Sequence, residues 1–426
     1  MAGVFKSKIF FALGFALVLC ASIFFAMFFK SKKPIVIELG MFSGSNWGIA
    51  NGESYHTADK AIAVFEKNHP NVKVHYFSGI RKNDYSEWLS QQILLGKTPD
   101  VFFVPDEKFA LLVQQGILKN LTPVISKDRE IKSWEYFPPS WEAVTFGEKQ
   151  FALPYQTDCT VMAVNITLLK KKGLKMPSRD WTWNDFYALA KETGQALYSW
   201  QDAVYSNGVL LFSRDGDKAN FSDSRTADAI RFMQKLTALE GERRYSANDF
   251  DTGIVAFTPM SYAQFCTYVS YPYKVYKDSS FEWGCLPMPA GISGGNVSRT
   301  KTLSLSIYAK TRHAKLSYEL LKTLVHDISV QTDIYSMGQG ASPLRIVPAS
   351  ASSISTIDSY TRSSKEYSLS LIAEILNNAQ STPKFSHYTE ALQAADSEIK
   401  SIIDERKDAE TSLKVLQQRI QNILAK

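Results

Sequence analysis

The chain has 426 residues, of which 45% are hydrophobic and 21% charged, and its formal net charge is +6 at pH 7. This composition excludes a disordered chain, and the length exceeds what one ordinary hydrophobic core organises, so two lobes or domains are expected. The small positive charge includes no lysine and arginine block of the density that binds nucleic acid, and we expect no nucleic-acid partner.

The first element is an uncharged apolar run, Ile9–Phe29, with two lysines before it and three after it. A helix rises about 1.5 Å per residue, so this run matches a hydrocarbon layer of about 30 Å. An uncleaved signal anchor is favoured over a cleaved signal, because signal cores are usually shorter and end in a small-x-small site. A lipid-modified Cys20 is a third interpretation, opposed by the bulky Leu19 before it. We expect residues 1–33 to form a transmembrane helix and tether.

Strands and helices then alternate along the chain. The segments with strand or helix patterns are, in order, "IVIELGMFS", "ADKAIAVFEKNHP", "NVKVHYF", "DYSEWLSQQILLGK", "PDVFFVPD" and "FALLVQQGI". Alternation at this spacing predicts a parallel sheet with helices on both faces. The segment "FGEKQFALP" is expected to form a small hairpin that leads into Pro154.

A second lobe is expected after Pro154. Its strand and helix segments are, in order, "CTVMAVN", "TWNDFYALAKETG", "SRTADAIRFMQKLTAL", "GIVAFTPMSYAQFCTYV", "FEWGCLPMPAG", "KTLSLSIYAKT" and "AKLSYELLKTLVH". Thr182 and Asp185 have the spacing of a capping box, which predicts that a helix starts there. The tail from Ser386 to Lys426 is expected to form polar amphipathic helices.

The usual motifs of enzymes and metal sites are missing from the sequence. There is no H-E-x-x-H, no phosphate-binding loop, no G-x-S-x-G and no dinucleotide fingerprint, and the six histidines are scattered singly. We therefore expect no catalytic residue, no metal and no cofactor. Outside the apolar run, Cys159, Cys266 and Cys285 are expected to be buried small hydrophobes, and a bridge between Cys266 and Cys285 stays open.

Aromatic residues make up 13% of the chain, and several stand beside amides or carboxylates in expected loops. Sugars present apolar C–H faces, which stack on aromatic rings, and hydroxyls, which bond to fixed polar groups. Most aromatics are expected in the core, but some are candidates for sugar contact. The candidates of this kind, with their polar neighbours, are Asn46, Trp47, Tyr155, Asp158, Trp200, Ser261 and Tyr262.

Several segments together resemble the extracellular solute-binding proteins that supply carbohydrates to ATP-driven importers. "AIAVFEKNHPNVKVHY", "QQILLGKTPDVFFV", "TWNDFYALAKE" and "GIVAFTPMSYA" are each similar to family segments, in the family's order. "FALPYQTDCTVMAVNITLLKKKGL" carries the most specific match. The chain departs from the family where Arg299 and Lys301 follow a Gly-Gly pair, and where Val164 precedes Asn165.

The resemblance implies an α/β fold of two lobes, of the periplasmic-binding-protein type II, joined by hinge crossings. Lobe 1 is expected to comprise residues 35–153 and 300–338, and lobe 2 residues 154–299 and 339–426. The crossings are expected at Leu153–Tyr155, near Val297–Leu303 and near Met337–Pro343. Pro154 restricts the backbone and keeps its predecessor extended, which suits a crossing.

The resemblance also implies that a carbohydrate, expected to be an oligosaccharide, binds between the lobes and is delivered to permease subunits of an ABC transporter. The chain is expected to be monomeric, anchored to the cell membrane, with its binding domain outside the cytoplasm. Three further residues complete the expected site: Asp106, Arg299 and Gln339. For Asp106, helix capping is an equal alternative. For Arg299, a solvated surface charge is favoured over a guanidinium that binds an acidic sugar.

Two alternative functions stay open. One is a membrane-tethered sugar sensor. A neighbouring histidine kinase gene would favour the sensor, whereas neighbouring permease genes would favour the importer. The other, less favoured, is a polysaccharide-cleaving enzyme, because the plentiful carboxylates could supply the acid and base pair that such enzymes use. Turnover of an oligosaccharide by the purified protein would identify the enzyme.

Overall fold

The structure is a computed structural model that describes residues 33–49, 54–194, 197–239, 245–269, 281–337, 340–350 and 371–425. The apolar run Ile9–Phe29 and the candidate Gln339 lie outside these residues. Within them, no helix has both the length and the apolar character needed to cross a membrane.

The first part of the chain builds most of lobe 1. Its elements are β1 (Ile35–Gly40), α1 (Ser54–Asn68), β2 (Val72–Tyr76), α2 (Lys82–Leu94), β3 (Val101–Val104), a 3-10 helix (Asp106–Lys108), α3 (Phe109–Gln114), α4 (Thr122–Ile125), a second 3-10 helix (Ser133–Glu135), α5 (Pro138–Glu142), β4 (Thr145–Phe146) and β5 (Lys149–Gln150). Strands β4 and β5 pair antiparallel, which confirms the hairpin expected from the sequence.

The chain then crosses into lobe 2 and later returns. The elements from the crossing onward are β6 (Leu153–Asn165), α6 (Ile166–Lys171), α7 (Trp183–Thr193), α8 (Trp200–Ser206), α9 (Ser224–Leu239), α10 (Ala247–Asp251), β7 (Phe257–Ser261), α11 (Tyr262–Val269) and β8 (Trp283–Leu286). The returning elements are β9 (Arg299–Ile307), α12 (Ala314–His326) and α13 (Ile328–Ser336). The last elements are α14 (Leu371–Asn378), β10 (Gln380–Ser381), α15 (Tyr388–Asp404) and α16 (Ala409–Leu424).

One sheet runs through both lobes in the order β2-β1-β3-β9-β6-β7, with β10 beside β9 and β8 beside β6. Strands β2, β1 and β3 are parallel, which confirms the βαβ pattern seen in the sequence. Strand β9 enters this sheet antiparallel to β3. The cleft therefore lies beside the carboxyl ends of β1 and β3 and the amino end of β9.

Strand β6 spans the expected first crossing as a single uninterrupted strand. Its residues Leu153–Cys159 pair with β9, and Thr160–Val164 pair with β7. The sequence segments instead predicted a hairpin that ends at Pro154 and a separate strand that begins at Cys159. A register shift between Pro154 and Gln156 replaces a break between these segments, so one extra residue is absorbed as a bulge without ending the strand.

Local sequence signals fix the start and end of α7. The Thr182 hydroxyl accepts from the Asp185 backbone N–H at 3.3 Å, and the Asp185 carboxylate accepts from the Thr182 backbone N–H at 2.8 Å. Gly194 ends the helix in the left-handed conformation, at φ 76°. The ring of Trp183 stacks on Phe232 of α9, with centroids 4.4 Å apart, so this capped end is also packed. The predicted capping box is confirmed.

Two apolar clusters stabilise the molecule. The first includes Phe65, Phe102 and Leu305 of lobe 1, and continues past the crossing strands to Phe265 of α11. The second lies within lobe 2 and joins α7 and α9 to the tail helices α15 and α16. The three cysteines of the described residues are buried and unbridged, as small hydrophobic residues often are.

Candidate functional site

A cavity of about 460 Å³ lies between the lobes. Loops after β1 and β3 and the start of α2 form one wall, while β6, the end of β7, β9 and the segment after β10 form the other. The residues that line it are Phe42, Asn46, Trp47, Lys82, Tyr85, Ser86, Phe103, Val104, Pro105, Asp106, Glu107, Asp158, Cys159, Thr160, Ser261, Arg299, Lys301, Leu303 and Thr382. Its size is within the range of about 300–1,000 Å³ that is usual for small-molecule sites.

Asn46 and Trp47, two of the candidates for sugar contact, line the cavity from the loop after β1. The Trp47 backbone N–H donates to the Ser45 hydroxyl at 3.0 Å, which holds the loop in a tight turn. The indole packs against Gly340, where an added Cβ would lie 2.5 Å from Nε1 of Trp47. Gly340 also has a φ of 123°, a backbone conformation that side-chain-bearing residues rarely adopt. The position of Trp47 therefore depends on a glycine in the third crossing.

Asp158 lines the cavity from the middle of β6, and its carboxylate meets the first turn of α11. Its Oδ1 accepts from the Ala263 backbone N–H at 3.1 Å. Burial raises the pKa of Asp158 to about 7, although the N–H groups around it act in the opposite direction. No ion pair within the described residues includes Asp158, so this carboxylate is stabilised by backbone N–H groups and by the Ser261 side chain. It is the wall residue best placed to change charge near neutral pH.

Arg299 lines the cavity at the start of β9, but its guanidinium is already engaged. Its Nε donates to Asp202 at 2.6 Å and its Nη1 donates to Gln201 at 2.8 Å, both from α8. Burial lowers the pKa of Arg299, yet Asp202 outweighs this and the net pKa is raised. The favoured expectation of a solvated surface charge is therefore corrected. The guanidinium faces the cavity as one half of a buried ion pair, not as an uncommitted cation.

Asp106 also lines the cavity as half of an ion pair. It begins the 3-10 helix after β3 and does not cap a helix through its side chain. Its Oδ1 lies 2.6 Å from Nζ of Lys384, which also donates to the Thr302 carbonyl at 2.9 Å. Lys384 follows β10 in the last part of the chain. Lys384, from the last part of the chain, therefore fixes the position of the Asp106 carboxylate on the lobe-1 wall.

Three residues expected in the site lie elsewhere. Tyr155 is the bulged residue of β6; it is buried in the lobe-1 core, with its ring 5.2 Å from that of Phe103. Tyr262 is fully buried because the first turn of α11 faces the core, where it stacks on Tyr335 at 5.8 Å. Trp200 of α8 packs toward the tail, since its Nε1 donates to Asp396 of α15 at 2.8 Å.

Sequence reasoning also missed polar residues of the wall. Lys82 and Ser86 lie in the first turns of α2, which follows the carboxyl end of β2, and this position is a signal that could have identified them. Lys301 stands beside Arg299 in a segment that departs from the family. Thr382 had no sequence signal, because its place depends on its backbone N–H, which donates to the Thr300 carbonyl of β9 at 3.1 Å. Among the described residues, no group of three His, Cys, Asp or Glu side chains is arranged to hold a metal ion.

Charges of both signs line the cavity in equal number. The cations are Lys82, Arg299 and Lys301, and the carboxylates are Asp106, Glu107 and Asp158. This balance of donors and acceptors provides hydrogen bonds in several directions without a strong field of one sign. Such a wall suits a ligand with many hydroxyl groups.

Comparison with known proteins agrees with this geometry. Residues 50–327 match the family of bacterial extracellular solute-binding proteins. An uncharacterized lipoprotein of Streptomyces antibioticus is 23% identical over 62% of this chain and 62% of its own length. An uncharacterized ABC transporter extracellular-binding protein of Pyrococcus horikoshii is 30% identical over 38% of this chain and 36% of its own length. The matches thus span less than two thirds of these relatives.

Solved structures share the fold at low identity. A cyclic alpha-maltosyl-1,6-maltose binding protein from Arthrobacter globiformis has a TM-score of 0.77 and 14% identity, over 92% of this chain and 99% of the other. The sugar-binding protein MalE of Xanthomonas citri has a TM-score of 0.75 and 15% identity, over 92% and 97%. A Listeria monocytogenes substrate-binding protein in complex with cycloalternan has a TM-score of 0.69 and 17% identity, over 92% and 99%. Two α/β lobes, a cavity between them and the family match over most of the chain together show that this protein belongs to the bacterial extracellular solute-binding proteins.

Proposed function

We propose that the protein is the substrate-binding component of an ABC importer and takes up an oligosaccharide in the cavity between its lobes. The observation that carries this proposal is the cavity wall: an indole, several polar side chains and balanced charges, contributed by both lobes. Two of the fold relatives are named for cyclic ligands, cyclic alpha-maltosyl-1,6-maltose and cycloalternan. We assign no catalytic step to this cavity.

The wall offers the two kinds of contact that a sugar needs. Trp47 supplies a flat apolar face for the C–H side of a sugar ring. Asn46, Asp106, Asp158, Ser261 and Arg299 supply fixed hydrogen-bonding groups for hydroxyls, and Lys82 and Lys301 add two more cations. Because Arg299 is already neutralised by Asp202, we favour a neutral oligosaccharide over a uronate or sugar phosphate.

We further propose that the lobes close around the ligand by rotation about the crossing strands β6 and β9 and the segment near residues 337–343. Ala341 pairs with Thr157 of β6 at both backbone groups, at 2.8 and 2.7 Å, so this third crossing is joined to the first. The proposed lobe boundaries are those expected from the sequence, near residues 153 and 300. The proposed partner of the closed form is a membrane permease.

We also propose that the chain remains attached to the membrane through its apolar segment Ile9–Phe29. The support is the length of this uncharged run and its flanking lysines. Peptides from the first 29 residues should then be recovered from the mature protein in native membranes. A free N-terminus just after Phe25 or Ala26 would show cleavage instead, and a diacylated Cys20 would show lipidation.

A ligand screen tests the binding function. The chain from Lys33 onward is heated with neutral linear and cyclic glucans, other neutral oligosaccharides and acidic oligosaccharides. A ligand at 100 times its Kd should add about 2.7 kcal/mol to the free energy of unfolding and raise Tm accordingly. If a folded protein shows no shift and no calorimetric heat with any sugar, the carbohydrate proposal is wrong. Cleavage of a bound oligosaccharide would favour the enzyme.

A further inference from the structure

The end of the lobe-1 sheet opposite the cavity gathers exposed cations. Strands β1, β2 and β3 start at this end, and β9 ends there. The segments that precede β1, β2 and β3 therefore lie beside the segment that follows β9. Helix α1 ends beside them and α12 begins beside them. We call this surface the basic end, and it comprises six exposed side chains: Lys33, Lys67, Lys97, Lys310, Arg312 and Lys315.

Hydrogen bonds hold the loops of the basic end together. The Tyr308 backbone N–H donates to the Asp100 carbonyl at 2.9 Å, and the Ile35 backbone N–H donates to the Asn71 carbonyl at 2.9 Å. The Asp100 carboxylate accepts from the Glu38 backbone N–H at 3.0 Å and from the Thr311 hydroxyl. The backbone that carries the cations is therefore fixed by strand pairing and by one carboxylate.

The cations of the basic end have no acidic partner among the described residues. Carboxylates near this end bind other groups: Glu66 pairs with Lys73 at 2.5 Å, and Glu38 with His75 at 2.8 Å. The exposed tail helices differ, because there Lys414 pairs with Glu410 and Lys407 with Glu405. The formal charge of the whole chain is only +6, so six unpaired cations on one end of one lobe represent a marked asymmetry.

The chain enters the fold at the basic end. Phe29, the last residue of the apolar run, and Ile35, the first of β1, are six residues apart. Fully extended, that stretch spans at most about 22 Å. If the apolar run stays in the membrane, the basic end is the part of the molecule that the tether holds near the lipid head groups. Anionic head groups attract such basic surfaces within roughly a Debye length, about 8 Å at physiological salt.

We propose that the basic end binds the anionic lipid surface in which the chain is tethered, so that lobe 1 rests on the membrane with the cavity on its far side. This inference rests on the membrane attachment proposed above, but not on the identity of the sugar. The attraction is that of a polybasic surface for acidic lipid head groups, and it should weaken as salt rises.

Lysine reactivity of the full chain in lipid nanodiscs tests this inference. The protein is placed in nanodiscs of phosphatidylcholine alone or with 30% phosphatidylglycerol, and each lysine is acetylated briefly and quantified by mass spectrometry. We expect Lys97, Lys310 and Lys315 to react at least threefold more slowly in the anionic discs, and to recover in 0.5 M salt. Lys171, Lys172 and Lys175, exposed in lobe 2, should react equally in both discs.

A charge-reversal variant with a matched control sharpens the result. Lys97→Glu/Lys310→Glu/Arg312→Glu should abolish the protection of Lys315, while Lys171→Glu/Lys172→Glu/Lys175→Glu, with the same change of net charge, should leave it intact. Equal reactivity of the basic end in both lipids overturns the proposal. So does protection of the same lysines by a soluble polyanion but not by anionic lipid.

Two further readouts separate this inference from the proposed function. Peptides from residues 1–29 in the nanodisc sample show whether the anchor is retained, and their absence overturns the tether on which the inference rests. Sugar-induced thermal shifts on the same sample report on the cavity. Loss of sugar binding with preserved lysine protection contradicts the transport function alone.

Discussion

Two ion pairs flank the cavity. The residue that faces the cavity is the cation in one pair and the carboxylate in the other. In one, the cavity-facing cation Arg299 is held by Asp202, whose side chain is only 1% exposed. In the other, the cavity-facing carboxylate Asp106 is held by Lys384, whose side chain is 6% exposed. In both pairs the wall residue is the more exposed member, at 23% for Arg299 and 41% for Asp106. The comparison indicates that each wall charge is fixed in place by a deeper counter-charge.

This arrangement implies an asymmetry within each pair. Removal of a wall residue strands a buried charge, whereas removal of the deeper residue leaves a charge that water can still reach. Breaking a buried pair costs about 3–5 kcal/mol when the remaining charge is uncompensated, but an exposed pair contributes only about 0–1 kcal/mol.

The largest effect is expected for Arg299→Met. It leaves the Asp202 carboxylate buried without its cation, so the free energy of unfolding should fall by about 3–5 kcal/mol in urea denaturation. Arg214→Met is the control, because Arg214 pairs with Glu142 at 2.7 Å with both side chains half exposed, and it should cost at most about 1 kcal/mol. A double variant, Arg299→Met/Asp202→Leu, should recover part of the loss. Equal costs for the Arg299 and Arg214 variants would contradict the comparison.

The next effect concerns Asp158, the wall carboxylate with no counter-charge. Its folded-state pKa of about 7 exceeds its unfolded value, near 3.9, so the folded protein binds more protons between these pH values. Asp158 therefore destabilises the fold progressively as pH rises from about 4 to 7. Asp158→Asn should remove this slope and stabilise the protein at pH 8 by about 2 kcal/mol.

Thermal denaturation at several pH values measures the effect of Asp158. Glu107→Gln, a change at an exposed wall carboxylate, is the control and should keep the wild-type slope. If the Asp158→Asn curve runs parallel to that of the wild type, Asp158 is not the group that titrates. Binding of a neutral sugar should weaken by about 1.5–3 kcal/mol in the same variant, as expected for a charged hydrogen bond.

A smaller effect is expected for the Asp106–Lys384 pair. Asp106→Asn removes the counter-charge of the Lys384 ammonium, which among the described residues keeps only neutral acceptors, the new amide oxygen and the Thr302 carbonyl, and should cost about 2 kcal/mol of stability. Lys384→Met keeps an unbranched stem in the same space and leaves an Asp106 that is open to water, so it should cost about 1 kcal/mol or less. Denaturant midpoints compare the two variants. A larger loss of stability in Lys384→Met than in Asp106→Asn would contradict the predicted asymmetry.

The smallest effect on stability is expected at Trp47, where no charge is involved. Trp47→Ala should weaken sugar binding by about 1–3 kcal/mol, and Trp47→Phe should weaken it less, because stacking requires a flat face. The change in unfolding free energy should stay near 1 kcal/mol, since the ring is only half buried. Calorimetric titration with the ligand found in the screen measures the change in affinity. Unchanged affinity in Trp47→Ala would remove the indole from the site.

The fold could be predicted from the sequence where the signal is local. The periodicity of Ser224–Leu239 gives α9 with the observed bounds, and the spacing of Thr182 and Asp185 gives the start of α7. Candidates that follow strands, such as Trp47 and Asp106, lie on the cavity wall, because loops at the carboxyl ends of parallel strands meet.

The other site residues depend on contacts that leave no local pattern. A bulge in β6 turns Tyr155 into the core, and alternation alone does not reveal a bulge. Lys384 reaches Asp106 because the two-residue strand β10 pairs with β9, about eighty residues earlier in the chain. Trp200 is drawn away from the cavity by Asp396, nearly two hundred residues later. Each of these depends on pairing between distant segments.

The unbroken β6 has a mechanical consequence. Its two halves are hydrogen-bonded to different lobes, so relative rotation of the lobes cannot occur about a free loop. In the lobe closure proposed above, the rotation would be absorbed as a change of twist along a strand whose ladders remain paired. The crossing would then resist rotation away from a preferred angle. A spectroscopic probe near the Tyr155 bulge would consequently respond to ligand through backbone torsion, without touching the sugar.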